Sequence, residues 1–349
     1  MHNIAMSGGS IWGDWPWNAI WVLYMILLLI PKDSKEARLR RALREFKPEN
    51  SLGAAKVTEK NRALKKAGLF DGKGVQIGYS PNGRHALHYS GLGHLLTVAA
   101  ARTGKGATLL VNALLSWRHS CIIIDPKCEN ALITARFRRR FGKVYILNPF
   151  KLFPHELGGM QARFNPMQII SAESSLSFHA LCDKLAAALV WEEGNSEGRH
   201  WTTAARILVS GIIAALIRHG DPARRTLVEV ARVISSGDEL FTFCRNAMQS
   251  NDPFIIQKLK RFALAPGAEP SREMHDVIAT AITNLAFIGN AAIAESLSGS
   301  DFRFSDLKRK PGTTVFICLP LATLDVTDKF FRLILESALA ELLNEGTHS

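Results

Sequence analysis

The stretch HLLTVAAARTGKG, from His94 to Gly106, decides how this chain is read. An apolar run, Leu95 to Ala99, gives way to a loop of small residues that ends in Arg102-Thr103-Gly104-Lys105-Gly106-Ala107. A helix-spaced apolar run then continues to Ser116. In a strand, small-residue loop and helix of this kind, backbone N–H groups can curl around an anion at the helix N-terminus. Unpaired donors and the helix dipole both favour negative charge there. Against the phosphate-loop pattern GxxxxGK[ST], Gly104 and Lys105 match, Ala99 stands at the first glycine and Gly106 at the final hydroxyl. Lys105 is then the side chain that reaches the β- and γ-phosphates. The competing reading is a tight strand-to-helix turn with a solvated lysine. The hydroxyl replaced by Gly106 normally binds Mg²⁺; Thr103 and Thr108 lie nearby, and sequence alone selects neither as its substitute.

Downstream, Cys121 to Ile124 reads as a second buried strand ending at Asp125, in the string IIIDPKCE that also carries Lys127. A carboxylate at the C-terminal edge of a parallel sheet can face phosphates or a metal. It can equally cap the next helix, and both readings stand. A helical stretch from Ala131 to Phe141 carries the run Arg136 to Arg140, read as a solvated face, and Val144 to Leu147 follows as a third strand. Strands alternating with helices predict a parallel sheet covered by helices.

From about Ser171 to Ser298 strand signals stop, and segments near Phe178–Trp191, Trp201–Arg218, Leu227–Ile234 and Val277–Phe287 have helical spacing. The apolar run inside Trp201–Arg218 contains Gly211 and is flanked by arginines, which favours a buried helix over a membrane span. Strand character returns at Thr313–Leu319, and a last amphipathic helix covers Lys329–Leu343. Upstream, Val75–Tyr79 and Ala86–Tyr89 are short candidate strands in a polar, Gly/Pro-punctuated region.

The amino end is different. Seventeen residues between Asp14 and Lys32 carry no charge, and four of the seven tryptophans (Trp12, Trp15, Trp17, Trp21) gather at its start. That length spans roughly 26 Å as a helix, at the short end of what crosses a bilayer, and the indoles read as an interfacial belt. Lys32 to Lys66 then holds 12 Lys+Arg against 5 Asp+Glu, which places the bulk of the chain in the cytoplasm by the positive-inside rule and against an anionic membrane surface. Over all 349 residues, 43 Lys+Arg against 31 Asp+Glu give +12, a charge suited to a polyanion partner. An apolar fraction of 47% excludes a disordered chain. Five scattered cysteines spell neither a disulfide framework nor a zinc motif.

The blocks His94–Gly106, Ser120–Arg139, Lys143–Phe150, Arg163–Ile170, His200–Leu216 and Thr313–Asp325 resemble, in order, those of TraG-type coupling proteins of conjugative type IV secretion. These are membrane-anchored P-loop ATPases of the RecA-like class related to FtsK translocases. The resemblance implies an α/β fold: a RecA-like parallel-sheet P-loop NTPase core with an all-α insertion behind an N-terminal transmembrane helix. It implies ATP and Mg²⁺ as cofactors, with nucleotide on Arg102, Thr103, Gly104, Lys105, Gly106 and Ala107, and Asp125 and Lys127 in its metal or phosphate neighbourhood. Implied too are a homo-hexamer where the core is complete, a bacterial inner-membrane location, and delivery of a relaxase–DNA complex or secreted protein to the type IV channel. The family's phosphate loop often ends in GKG, as here, whereas Cys128 stands where it usually has glycine. The expected organisation is an anchor at 1–31, a basic juxtamembrane segment at 32–90, the first part of the nucleotide-binding domain at 91–170, the helical insertion at 171–298 and a return to the core at 299–349.

One departure weighs on activity. RecA-like ATPases use a strand of four apolar residues followed by Asp-Glu, for the Mg²⁺ shell and the attacking water, and no such string occurs in this sequence. The expectation is a core truncated before that strand, which binds nucleotide and hydrolyses it poorly by itself. The alternatives are a non-catalytic membrane adaptor, an inactive remnant, or a fragment of an FtsK-class translocase. A dinucleotide oxidoreductase fits poorly, because Gly91-Leu-Gly93 precedes its strand and lacks the third glycine.

Overall fold

The computed structural model describes residues 60–98, 100, 103–170, 175–191, 199–320 and 324–344. The expected anchor at 1–31, the basic stretch as far as residue 59, Ala99 and Arg102 lie outside them.

A short helix, α1 (Asn61–Lys66), leads to an antiparallel hairpin of β1 (Val75–Tyr79) and β2 (Ala86–Tyr89), with a bulge between Gln76 and Gly78. Both strands fall where the sequence placed them. Among the described residues the parallel sheet has three strands: β3 (Cys121–Ile124), β4 (Val144–Leu147) and β5 (Thr314–Ile317), in the order β3-β5-β4. Thr314 is level with Cys121 on one side and with Val144 on the other. The last strand therefore takes the centre, and TTVFICL explains why. An unbroken apolar run suits a strand covered on both faces, and every residue of β5 is buried. By contrast β3 is an edge strand, half-buried with Ile124 52% exposed, so the fully buried strand expected there is corrected.

Before β3 lies α2 (Val111–Ser116), which continues a π-helical turn at Gly106–Leu110, and α3 (Glu129–Arg138) crosses from β3 to β4. A one-turn α4 (Pro154–Leu157) follows β4. The helical region is built from α5 (Ser175–Leu189), α6 (Arg199–His219), α7 (Leu227–Ser235), α8 (Asp238–Ala247), α9 (Pro253–Leu259), α10 (Arg272–Leu285) and α11 (Ala291–Leu297). Then come a single turn, α12 (Asp306–Arg309), the strand β5, and α13 (Leu324–Asn344). Helix α6 is the axle. It is long and apolar enough to cross a bilayer, but 72% of its apolar window is buried inside the protein, as the arginine-flanked sequence predicted. Helices α5, α9 and α10 pack around it.

Several helix starts are set by side chains accepting from the first-turn N–H groups: Thr226 for α7, Asp252 for α9, Ser271 for α10 and Asn290 for α11. On one side of the sheet Tyr145 of β4 stacks on Phe302 at 4.9 Å, and Phe302 and Phe304 meet Phe164 at 5.4 and 4.9 Å. These rings join the sheet to the same apolar core that α5–α11 enclose.

Candidate functional site

The loop departs from expectation at its entry. Residues 95–98 form no strand; Leu96 and Val98 are 88% and 85% exposed. Extended backbone is held by a ladder partner, and among the described residues none pairs with this segment. The reading of Leu95–Ala99 as a sheet strand is corrected for 95–98.

The exit of the loop forms as expected. Gly104 sits at φ +84°, a left-handed conformation that glycine adopts without strain, and the chain turns there directly into the helix. Thr103 Oγ1 donates to the Ala100 carbonyl at 2.8 Å and Lys105 Nζ donates to the same oxygen at 2.9 Å, while Thr108 Oγ1 donates to the Gly104 carbonyl at 2.8 Å. The ammonium is thus folded back over the mouth of the loop. A Cβ built on Gly106 would meet nothing within 4 Å, so the helix start is open to solvent. The N–H groups of a first helical turn lack intrahelical partners. Here they front a helical run of Gly106–Ser116 with a lysine beside it, an arrangement that fits an anionic phosphate group.

Mg²⁺ is served differently. The hydroxyls of Thr103 and Thr108 are spent on the loop's own carbonyls. Asp125 is 2% exposed, its Oδ2 accepting from the Ala131 N–H at 2.8 Å and its Oδ1 from Asn130 Nδ2 at 3.2 Å. The structure shows Asp125 anchoring the next helix: its carboxylate takes donors from the first turn of α3. Burial raises the Asp125 pKa above the usual carboxylate value, against the lowering by those bonds. Lys127 is exposed on the turn between β3 and α3. No hydrogen bond or ion pair among the described residues joins Asp125 or Lys127 to 103–107. The loop therefore fits phosphate, and no described side chain is offered as a dedicated Mg²⁺ ligand.

Two features escaped the sequence. Cys128 sits at φ 59°, and its Sγ lies 2.8 Å from Cys318 Sγ, with Asp125 beside the pair and all three buried. Hydrogen bonding with Cys128, then burial, pushes the Cys318 thiol strongly up. Sulfur donors suit soft cations and not Mg²⁺. Positions 128 and 318 are 190 apart in sequence, so no local spacing could announce the pair.

Arg138 is the second, and it corrects the solvated reading of the arginine run: it is fully buried. It donates to the carbonyls of Leu114 (3.1 Å), Trp117 and His119 (2.8 Å), and to Thr314 Oγ1 (3.0 Å). It thereby ties the C-terminal end of α2 to the sheet. Burial lowers the Arg138 pKa from its ordinary value. The bond from Arg138 on α3 to the Leu114 carbonyl on α2 has no sequence signal, whereas Arg136, Arg139 and Arg140 are exposed as expected.

Comparison with known proteins decides the family. Residues 40–348 match the family model described as Type IV secretory system Conjugative DNA transfer. The chain belongs to this conjugative DNA-transfer family. Among curated relatives, the conjugal transfer protein TraG of Escherichia coli is 28% identical over 233 residues, covering 64% of this chain and 35% of that protein. Protein VirD4 of Agrobacterium fabrum is 25% identical over 255 residues, covering 71% and 36%. The chain thus spans about a third of the length of these relatives. A solved structure of the plasmid coupling protein TrwB in complex with ADP and Mg²⁺ is 18% identical, with a TM-score of 0.48 over 70% of this chain and 51% of that one.

Proposed function

We propose that this chain is the nucleotide-binding part of an inner-membrane conjugative coupling protein. In this reading it binds ATP and takes a relaxase–DNA complex or a secreted protein to the type IV channel, working as a homo-hexamer. The anchor is the apolar segment before Lys32, and the helical region 171–298 is an insertion in the nucleotide-binding core. The observation that carries the reading is the loop exit. Gly104 is left-handed, Lys105 is folded over the loop, and the open first turn at Gly106 and Ala107 presents N–H donors. Arg102 and Thr103 complete the phosphate cradle in the proposal, and Mg²⁺ arrives on the phosphates of the nucleotide.

Binding without turnover by this chain alone is favoured by one further observation: the Asp125 carboxylate is committed to α3. The adaptor reading, in which Lys105 is dispensable, is the rival. The test measures affinity for a fluorescent ATP analogue, with and without Mg²⁺, for the full chain in detergent and its Lys105→Ala variant. Loss of binding on removal of the ammonium supports the phosphate loop. Unchanged affinity, or transfer activity that survives the substitution, sinks it.

A further inference from the structure

Three turns meet at the N-terminal edge of the parallel sheet, the end opposite Asp125. Residues 117–120 enter β3, 139–143 enter β4 and 308–313 enter β5. They are locked together. Ser120 Oγ donates to the Lys310 carbonyl at 3.3 Å, the Cys121 N–H to Thr313 O at 3.0 Å, and the Thr314 N–H to Lys143 O at 2.8 Å. Gly142 and Gly312 touch backbone to backbone, and a Cβ on Gly142 would lie 2.6 Å from the Gly312 carbonyl carbon. From below, Arg138 holds the Trp117 and His119 carbonyls.

This rigid platform carries Arg118 on the first turn, Arg139, Arg140 and Lys143 on the second, and the triplet Lys308-Arg309-Lys310 on the third. All are exposed. Among the described residues of these turns the carboxylate that answers them is Asp306, paired with Lys310 at 3.0 Å. Even with Arg309 left out, the six other cations against this one anion leave a strong local excess of positive charge. The aromatic rings present are occupied within the protein. The Trp117 indole N–H donates to Ser120 O at 3.2 Å, Phe137 and Phe141 pack edge-to-face at 5.5 Å, and Arg140 lies over Phe137 at 4.9 Å. A surface dense in fixed cations, with its rings engaged internally, suits phosphates and not bases.

We propose that these three turns form a contact surface for the DNA backbone, distinct from the nucleotide loop. The choice of DNA over another polyanion rests on the coupling-protein reading. The contact is independent of sequence and strongly salt-dependent. Because the turns are braced by the sheet, only the side chains and not the backbone need ordering when they bind.

The experiment uses the full chain in detergent micelles and a fluorescein-labelled duplex of arbitrary sequence, with affinity followed by anisotropy across a salt series. Arg118→Gln, Arg139→Gln and Lys143→Gln are combined; these side chains make no ion pair among the described residues. The plot of log affinity against log salt should flatten by about 2.7, or about 0.9 for each phosphate left without its cation, with ATP-analogue binding and thermal midpoint unchanged. A matched control removes Arg38, Arg40 and Arg41 in the same way. An unchanged slope in the first variant, with flattening in the control, overturns the proposal in favour of the amino-terminal basic stretch. An unchanged DNA slope with reduced flotation on phosphatidylglycerol vesicles overturns it in favour of a membrane face. Loss of ATP binding in Lys105→Ala with the DNA slope intact would separate the two sites, so either reading can fail alone.

Discussion

Replacing Arg138 probes whether α2, the helix behind the proposed phosphate loop, is held from its far end. The guanidinium is fully buried, with three carbonyls, a threonine hydroxyl and the Cys121 sulfur as its acceptors and no carboxylate bonded to it among the described residues. Arg138→Leu removes the cost of burying the cation but strands the Leu114, Trp117 and His119 carbonyls. Each unsatisfied buried acceptor costs about 1–3 kcal/mol. With partial relief from the vanished charge and from water reaching the rim, the expected net loss is about 3 kcal/mol. Arg138→Lys keeps the charge, but a point ammonium cannot reproduce the planar fork; a loss of about 2 kcal/mol is expected. Urea denaturation of the full chain in detergent would measure both, alongside affinity for the ATP analogue, which should weaken several-fold as the end of α2 loosens. A leucine variant within about 0.5 kcal/mol of the parent would refute the argument, because the carbonyls would then be finding other donors at no cost.

Three other perturbations follow from the same geometry. Gly106→Ser should be accommodated, since nothing lies within 4 Å of the new Cβ; it restores the hydroxyl of the phosphate-loop pattern and should make ATP-analogue affinity more dependent on Mg²⁺, which a titration with and without chelator would read. Glu341, buried on α13, accepts from Arg303 Nε at 2.7 Å, the Phe304 N–H at 2.8 Å and Ser305 Oγ at 3.1 Å. Arg303→Ala leaves that carboxylate buried without its cation and should cost about 3 kcal/mol, while Glu341→Ala leaves the Phe304 N–H and Ser305 hydroxyl without their acceptor at about 1–3 kcal/mol each; a loss under about 0.5 kcal/mol in either variant on denaturation would contradict the assignment. Hydrogen bonds from Arg163 hold the Asp301 carboxyl below its ordinary 3.8. The native state then binds that proton less tightly than the unfolded chain, so the stabilisation is present above 3.8 and lost as pH falls through the depressed native value. For this exposed pair it is worth under about 1 kcal/mol, and the gap in urea midpoint between parent and Asp301→Asn should close in strong acid.

What the sequence revealed and what it hid follow the range of the interactions involved. The hairpin strands Val75–Tyr79 and Ala86–Tyr89 were legible residue for residue, because alternation and turn chemistry are local. So was the burial of α6, signalled by its flanking arginines. Helix α8 was missed, and so were α9 and α11 although Asp252 and Asn290 are readable caps: these two helices are seven residues each, too short for periodicity to stand out. The apolar run at 95–98 looked like a strand, and only a partner across a ladder could have made it one. Within the candidate site, Gly104 and Lys105 were visible from motif spacing, and Asp125 as a carboxylate at a strand end, but not the direction in which it bonds. Arg138 was hidden among four other residues of a basic-looking run, and its burial depends on carbonyls brought in from α2. Residues far apart in sequence also bring Cys128 to Cys318.

The central place of β5 has a consequence for how the protein is made. Strands β3 and β4 leave the ribosome first, and the strand that pairs with both is synthesised only after the whole helical region. At 5–20 residues per second, the slot between them waits roughly ten to thirty seconds for Thr314–Ile317 to arrive. During that interval the nascent chain carries two unsatisfied ladder edges and an unfilled apolar cleft. Val315, Phe316 and Ile317 then enter as the keystone, and the sheet can close only once they have emerged. Destabilising changes in this one strand should accordingly lower the yield of folded protein more than equal changes in α7 or α10, whose partner α6 is made before either.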